Sequence, residues 1–212
     1  MRKTDLILKI MSKDFYKKSI KKIFTECKTI IDIGGGLRIS KEKGNWFSKS
    51  NTWMEPLLKK VEYKIMDPVD TYNPDIIGDI HKMPFVDESQ DAIICLSVLE
   101  HVEDPIRAAQ ELYRVLKSGG QLFIYVPFLY YYHAEKGYYG DFWRFTEDSL
   151  RFMFKNFSQF EIRQARGAIE TWFKLSPLGR FGIILSFSRF LDKITGKDKS
   201  NQTSGFYVFL VK

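Results

Sequence analysis

Residues 29–36 read Thr-Ile-Ile-Asp-Ile-Gly-Gly-Gly, and they constrain the chain more than any other segment. Four of the first five side chains are β-branched, as in a strand covered on both faces, and the three glycines that follow turn the backbone sharply at its carboxyl end. A strand buried on both faces belongs to a parallel sheet with helices on either side. Such sheets bind ligands at the carboxyl edge, where a glycine turn offers bare backbone amides. Apolar runs of the same texture recur at 63–66, 75–77, 92–96 and 121–126. Between the last two lies the clearest helix. Asp104 is its N-cap, Pro105 its first residue, Ile106, Ala109, Leu112, Tyr113 and Leu116 form one face, and Gly119-Gly120 is the stop. Strand and helix in alternation predict an α/β fold with a doubly wound sheet.

Charge narrows the partners. The chain carries +7, but residues 1–28 hold nine basic side chains against three acidic ones, leaving 24 against 23 in the remainder. The body is near neutral, which argues against a nucleic-acid partner; the excess sits on an N-terminal helix whose apolar face is Tyr16, Ile20, Ile23, Phe24 and Cys27. The expected division is therefore a basic amphipathic helix over 1–28 and a single domain over 29–212. Cys27 and Cys95 are the only cysteines, each in an apolar run, so neither a disulfide framework nor a cysteine-rich zinc site is expected. No stretch reaches the length of a membrane span or resembles a signal peptide, and a cytoplasmic protein with no bound metal is the expectation.

After residue 126 the texture changes. Nine of the eighteen residues at 128–145 are aromatic, without a helical or strand period, which predicts an irregular lid. Thr146 then caps a helix with Leu150, Met153, Phe154 and Phe157 on its apolar face, and strands are expected at 160–164 and 205–211. A second aromatic stretch at 171–191, broken by Pro177, is expected to hold a short helix from about Leu178 and to pack against the sheet. Its alternative is a peripheral contact with a membrane surface through 178–191, aided by the N-terminal helix. Residues 193–204 read as a flexible polar loop.

Acids recur at the strand ends. Asp32 precedes the glycines, Asp67 ends the second strand, where an acid can accept both ribose hydroxyls of an adenosine, and Asp79 ends the third, placed to accept from an adenine amino group. Taken singly, Asp67 is equally a turn residue before Pro68. The dinucleotide pattern G-x-G-x-x-G fails, because Ile39 stands where its last glycine belongs.

Taken together, Ile31-Asp32-Ile33-Gly34-Gly35-Gly36, Asp67-Pro68, Gly78-Asp79-Ile80-His81-Lys82-Met83-Pro84-Phe85, Leu99-Glu100-His101-Val102-Glu103-Asp104-Pro105 and Leu116-Lys117-Ser118-Gly119-Gly120 resemble the class I S-adenosylmethionine-dependent methyltransferases, in the branch that acts on small molecules. The resemblance covers roughly residues 25–130. It implies a Rossmann-like seven-stranded sheet of order 3-2-1-4-5-7-6 with its last strand antiparallel, and S-adenosyl-L-methionine as cofactor. It further implies that Asp67 holds the ribose, that Asp79 and the Ile80 amide hold the adenine, that Gly34 and Gly36 hold the methionine portion with Asp32 also among the cofactor-binding residues, and that Leu96 and Ser97 line the cleft. Two departures stand out. Arg38 replaces a further glycine, leaving it either solvent-facing or on the cofactor carboxylate, and the long gap from Gly36 to Asp67 makes 44–60 an insertion. Trp46, Phe47 and Trp53 in it either border the substrate entrance or pack against the body.

Methyl transfer to a hydroxyl needs alignment, exclusion of water and a base. The aromatic segment supplies His133, Asp141 and Arg144 as candidate catalytic residues, and it is similar to a segment of methyltransferases encoded with bacterial surface-polysaccharide genes. That implies an acceptor of the sugar or glycan type, with His133 as base; Asp141 and Arg144, three residues apart, are alternatively a structural ion pair. His101 is expected to hold structure. The rival readings are an RNA or protein methyltransferase, and a non-catalytic scaffold that binds S-adenosylmethionine or S-adenosylhomocysteine.

Overall fold

The structure is a computed structural model that describes residues 11–39 and 47–212. Seven strands form one sheet: β1 (Thr29–Ile33), β2 (Glu62–Asp67), β3 (Ile76–Ile77), β4 (Gln90–Leu96), β5 (Leu116–Pro127), β6 (Gln159–Gln164) and β7 (Gly205–Val211). Their order is β3-β2-β1-β4-β5-β7-β6, with β7 antiparallel to both neighbours and the first five strands parallel. This is the predicted topology. Register carries the strand-end acids to one edge: Asp32 lies opposite Ile65 and Ile94, and Asp67 opposite Ile77.

Each face of the sheet has its own core. Helix α1 (Met11–Glu26) lays Phe15, Ile20, Ile23 and Phe24 on Ile30, Ile94, Phe123 and Phe209, all buried. The basic helix is thus built into the domain, with Lys17, Lys18, Lys21 and Lys22 on the outer side; Arg2, Lys3 and Lys9 lie outside the described residues. Next to it a helical turn over Glu55–Leu58 (α2) follows a 3-10 segment, Lys49–Met54, which buries Met54. Trp53 packs on this cluster beneath Lys17 rather than beside the strand ends, while Trp46 falls outside the described residues.

The opposite face is covered by α3 (Pro105–Val115), whose Ala108, Ala109, Leu112 and Val115 are buried, and by α4 (Glu147–Met153), which adds Leu150 before Phe154 and Phe157. Both N-caps act as predicted: Asp104 accepts from Arg107 N at 2.9 Å and Thr146 from Ser149 N at 3.2 Å. Helix α3 stops sooner than the glycines indicated. Leu116 is already paired with Gln90, so the strand starts at the last turn of the helix, and Gly119 (φ +78°) shapes the strand instead of ending the helix.

The C-terminal aromatic stretch departs most from expectation. It holds two helices, α5 (Ala168–Leu175) and α6 (Gly182–Ile194), and they do not bury their apolar sides against the sheet. Between them lie polar groups: Asp192 accepts from Ile169 N and Glu170 N at 2.8 and 2.9 Å, and Arg189 pairs with Glu170 at 3.0 Å. Trp172, Phe181, Ile183, Phe187, Phe190 and Ile194 face outward. A Cβ on Gly167 would lie 2.2 Å from Asp192 Cγ, so the close approach that lets Asp192 cap α5 requires glycine there. The polar loop expected at 193–204 is also more ordered than its composition indicates, for Thr203 and Ser204 are buried and anchor Leu129 and Phe128.

Candidate active site

The carboxyl ends of β1 to β5 open into one cavity of about 800 Å³. At one end are Gly34, Gly35, Gly36, Arg38, Asp67, Asp79, Ile80, Leu96 and Ser97; at the other are Glu100, His101, His133 and the lid residues Tyr130, Tyr138, Tyr139 and Phe142.

The glycine end is organised from below by Asp32. Its carboxylate is fully buried, accepts from Gly36 N (3.1 Å), Leu37 N (3.0 Å) and the Tyr63 hydroxyl (2.5 Å), and does not line the cavity. Asp32 therefore shapes the turn, in place of the direct contact expected of it. Burial pushes its carboxyl up to about 7 even though the three donors pull the other way. The glycines also differ from expectation. Gly34 N donates to Met66 O at 2.8 Å and Gly36 N to Asp32, so neither amide is bare. Their contribution is steric. Gly34 (φ +73°) passes so near Val98 that a Cβ would sit 2.9 Å from its methyl, and a Cβ on Gly36 would meet Leu96 Cβ at 2.8 Å and Leu96 O at 3.0 Å. Arg38 (φ +50°) is the next wall, held by Arg38 N on Gly35 O at 3.1 Å.

Asp67 accepts one hydrogen bond among the described residues, from Val69 N at 3.1 Å, and burial raises its carboxyl. The rest of its acceptor capacity faces the cavity. Asp79 Oδ1 accepts from His81 N at 2.8 Å and pairs with His81 Nδ1 at 2.7 Å; burial raises it, but these partners outweigh burial and hold it below its ordinary value. Ile80 lies buried on the same wall. Ser97 carries the turn out of β4 with φ +56° and donates its amide to Tyr125 O at 3.0 Å.

At the other end the lid is tied down by an ion pair. Arg144 grips Asp141 through two bonds of 2.6 and 2.7 Å and reaches Tyr131 O at 2.6 Å, while Asp141 also accepts from His133 N at 2.8 Å. The guanidinium holds the Asp141 carboxyl down at about 2. Neither residue lines the cavity. Asp141 and Arg144, expected as catalytic residues, thus stand behind the cavity wall as the ion pair of their alternative reading, and the pair holds the backbone that carries His133. His133 does face the cavity, and Glu100, ahead of the opposing effect of burial, raises its imidazole above the ordinary range. His101 donates Nδ1–H to Gly140 O at 2.6 Å, the structural bond expected, but its ring also lies on the cavity wall and edge-on to His133 at 4.8 Å. Sequence reasoning overlooked Glu100. Its side chain is buried between the two imidazoles, 3.7 Å from His133 Nε2 and 3.9 Å from His101 Nε2. A glutamate beside a histidine at a strand end was the available signal.

Residues 57–124 match a family described as a methyltransferase domain. Among curated proteins, a tRNA U34 carboxymethyltransferase of Campylobacter hominis is 42% identical over 50 residues, which is 24% of this chain and 18% of that protein. The chain thus spans less than a fifth of the length of that relative. A solved S-adenosylmethionine-dependent methyltransferase of Archaeoglobus fulgidus superposes with a TM-score of 0.59 over 97% of this chain and 96% of that chain at 12% identity. Another, a possible histamine N-methyltransferase of Thermotoga maritima, gives 0.55 over 92% and 86% at 17% identity. The fold is that of S-adenosylmethionine-dependent methyltransferases. The residues present suit that cofactor: a side-chain-free turn at Gly34 and Gly36, packed so closely on Val98 and Leu96 that neither position has room for a Cβ, a carboxylate with acceptor capacity at Asp67, and an apolar wall at Ile80.

Proposed function

We propose that this chain transfers a methyl group from S-adenosylmethionine to a hydroxyl of a small polar acceptor of the sugar or glycan class. The observation that carries this reading is the continuity of one cavity from the Gly34–Asp67 end to the His133–Glu100 end beneath an aromatic lid. When bound, the cofactor supplies a methyl group activated on a sulfonium, and the chain's residues do the rest. Asp67 accepts from the ribose, Ile80 and Asp79 face the adenine, and Arg38 on the far side of the glycines is suited to the carboxylate. Tyr130, Tyr139 and Phe142 offer faces for a sugar ring and exclude water. His133, held by the Asp141–Arg144 pair, brings its Nε2 to where the acceptor hydroxyl loses its proton.

Calorimetry and turnover test this. The expected result is binding of S-adenosylhomocysteine and transfer of labelled methyl groups to a sugar nucleotide or glycan panel. Absence of binding by both S-adenosylmethionine and S-adenosylhomocysteine would leave a scaffold, and methylation of tRNA or protein with a steep salt dependence would favour the rival acceptors.

A second feature concerns where the acceptor is met. The pair α5 and α6 turns its polar groups inward and Trp172, Phe181, Ile183, Phe187 and Phe190 outward, with exposed Arg180, Lys197 and Lys199 nearby. No helix among the described residues is long and apolar enough to cross a membrane. Such a face suits peripheral contact with an anionic lipid surface, on which a lipid-carried sugar would be presented. Sedimentation with phosphatidylglycerol vesicles, but not phosphatidylcholine vesicles, is expected to retain the protein. Retention unchanged in Ile183→Ser/Phe187→Ser would remove this contact.

A further inference from the structure

The reading above leaves the Glu100 carboxylate without a task. Both its oxygens are shielded from solvent and neither accepts a hydrogen bond among the described residues. A buried carboxylate in that state is costly unless positive charge faces it. What faces it are two imidazoles whose orientation is settled elsewhere. His101 donates Nδ1–H to Gly140 O at 2.6 Å and His133 donates Nδ1–H to Tyr131 O at 2.9 Å. A ring that donates from Nδ1 to a carbonyl keeps its Nε2 lone pair free, which is the arrangement found around imidazoles that bind metals. Both Nε2 atoms lie too far from Glu100 Oε1 for a hydrogen bond, at 3.9 and 3.7 Å, and the three atoms lie within 4.8 Å of one another. Ligands placed about 2.1 Å from a common cation stand roughly 3.0–3.5 Å apart, so the two Glu100–imidazole distances need a contraction of a few tenths of an ångström and the widest pair, at up to 4.8 Å, one of more than an ångström, which rotation of the partly exposed His133 ring supplies.

We propose that Glu100, His101 and His133 bind a divalent metal ion at the lid end of the cavity. Two imidazoles and one carboxylate select a cation of the Zn²⁺, Mn²⁺, Fe²⁺ or Co²⁺ class over Mg²⁺ and Ca²⁺, which take oxygen ligands. All three residues line the cavity, so the coordination positions they do not fill open toward it, where oxygens of a polyhydroxylated acceptor can enter. The role deepens the proposed methyl transfer and rests on it for the acceptor: a hydroxyl bound to the cation would have a lowered pKa and would lose its proton to solvent as it binds, before the lid aromatics exclude water, and His133 would then serve as a ligand, replacing the base role given to it above. Gly140 and Tyr131, which hold the rings, belong to the lid, so lid order and metal binding are coupled.

The test uses the full chain, stripped with chelator and titrated with Co²⁺ while visible absorption is recorded. Bands that saturate at one equivalent are expected, and Glu100→Gln and His133→Gln are each expected to weaken binding at least tenfold while binding S-adenosylhomocysteine within twofold of the parent. His133→Gln, at the partly exposed edge of the cluster, is the variant least tied to folding. Absence of saturable bands, or unchanged Co²⁺ affinity in His133→Gln, would overturn the metal site. Failure of the parent to bind S-adenosylhomocysteine would instead overturn the methyltransferase reading and leave the metal result standing on its own.

Discussion

At its glycine end the cavity is walled by residues that sit within a few positions of a strand terminus. Its histidine end is assembled from remote segments: His101 is held by a carbonyl 39 residues away, and the Glu100 carbonyl accepts from Phe142 N at 2.8 Å and Trp143 N at 3.3 Å. The first end is made by the sheet itself, so its geometry follows from strand order. The second depends on an irregular segment with one isolated bridge, Glu135 to Tyr139, and on the half-buried ion pair of Asp141 and Arg144. Under the proposed function, binding and chemistry are thereby divided between the sheet edge and a tethered lid.

Substitutions that separate the two ends test this division. The largest effect is expected from His133→Ala, which should lower turnover by roughly 10²-fold or more and leave S-adenosylhomocysteine affinity unchanged by calorimetry. Near-normal turnover would remove His133 from the chemistry. Asp67→Ala is the reciprocal case: affinity for S-adenosylhomocysteine should fall about 10- to 100-fold, the value of charge-assisted hydrogen bonds to one carboxylate. Equal affinity would contradict its ribose role. Arg144→Leu frees Asp141 and the backbone of Tyr131, and we expect KM for the acceptor to rise several-fold with cofactor affinity held. A loss of cofactor affinity instead would mean that the ion pair supports the whole cavity.

The smallest effects, in thermal stability, have opposite signs at the two ends. Asp32 has its carboxyl raised by burial from 3.8 to about 7, so the folded chain binds the extra proton and this group's contribution to stability declines as pH rises from about 4 to 7. The Asp141 carboxyl is lowered from 3.8 to about 2 by Arg144, so its contribution is present above about pH 4 and is lost as pH falls toward 2. Melting curves of Asp32→Asn should therefore be flatter than the parent's between pH 4 and 7, and those of Asp141→Asn flatter between pH 4 and 2. Parallel curves in either window would show that the carboxylate is not perturbed as its surroundings imply.

Much of this architecture was legible in the chain. Runs such as 29–33 and 205–211 are apolar enough to be strands in any setting, and Asp104-Pro105 and Thr146 start helices by local hydrogen bonds that need no partner from elsewhere. The placement of Asp67, Asp79 and Ile80 on one wall follows because parallel strands bring their carboxyl ends to one edge. The misjudged residues share a cause. The resemblance puts Asp32 among the cofactor-binding residues, yet three donors from the turn and from Tyr63 claim its carboxylate from behind. Residues 178–191 were assigned to the core because they are apolar, yet Asp192 and Glu170 across the helix pair occupy the inner side.

Local patterning, then, determined the strands, the caps and the edge on which a ligand can lie, because each depends on side chains a few positions apart or on a repeat that the backbone enforces; the strand order came from the family resemblance. Only the tertiary structure decided that Glu100 lies between His101 and His133, that Asp141 and Arg144 pair with each other behind the cavity wall, and that α5 and α6 wear their apolar face outside. Those outcomes turn on which of several chemically equivalent partners comes within about 4 Å, and that is set by packing between distant segments.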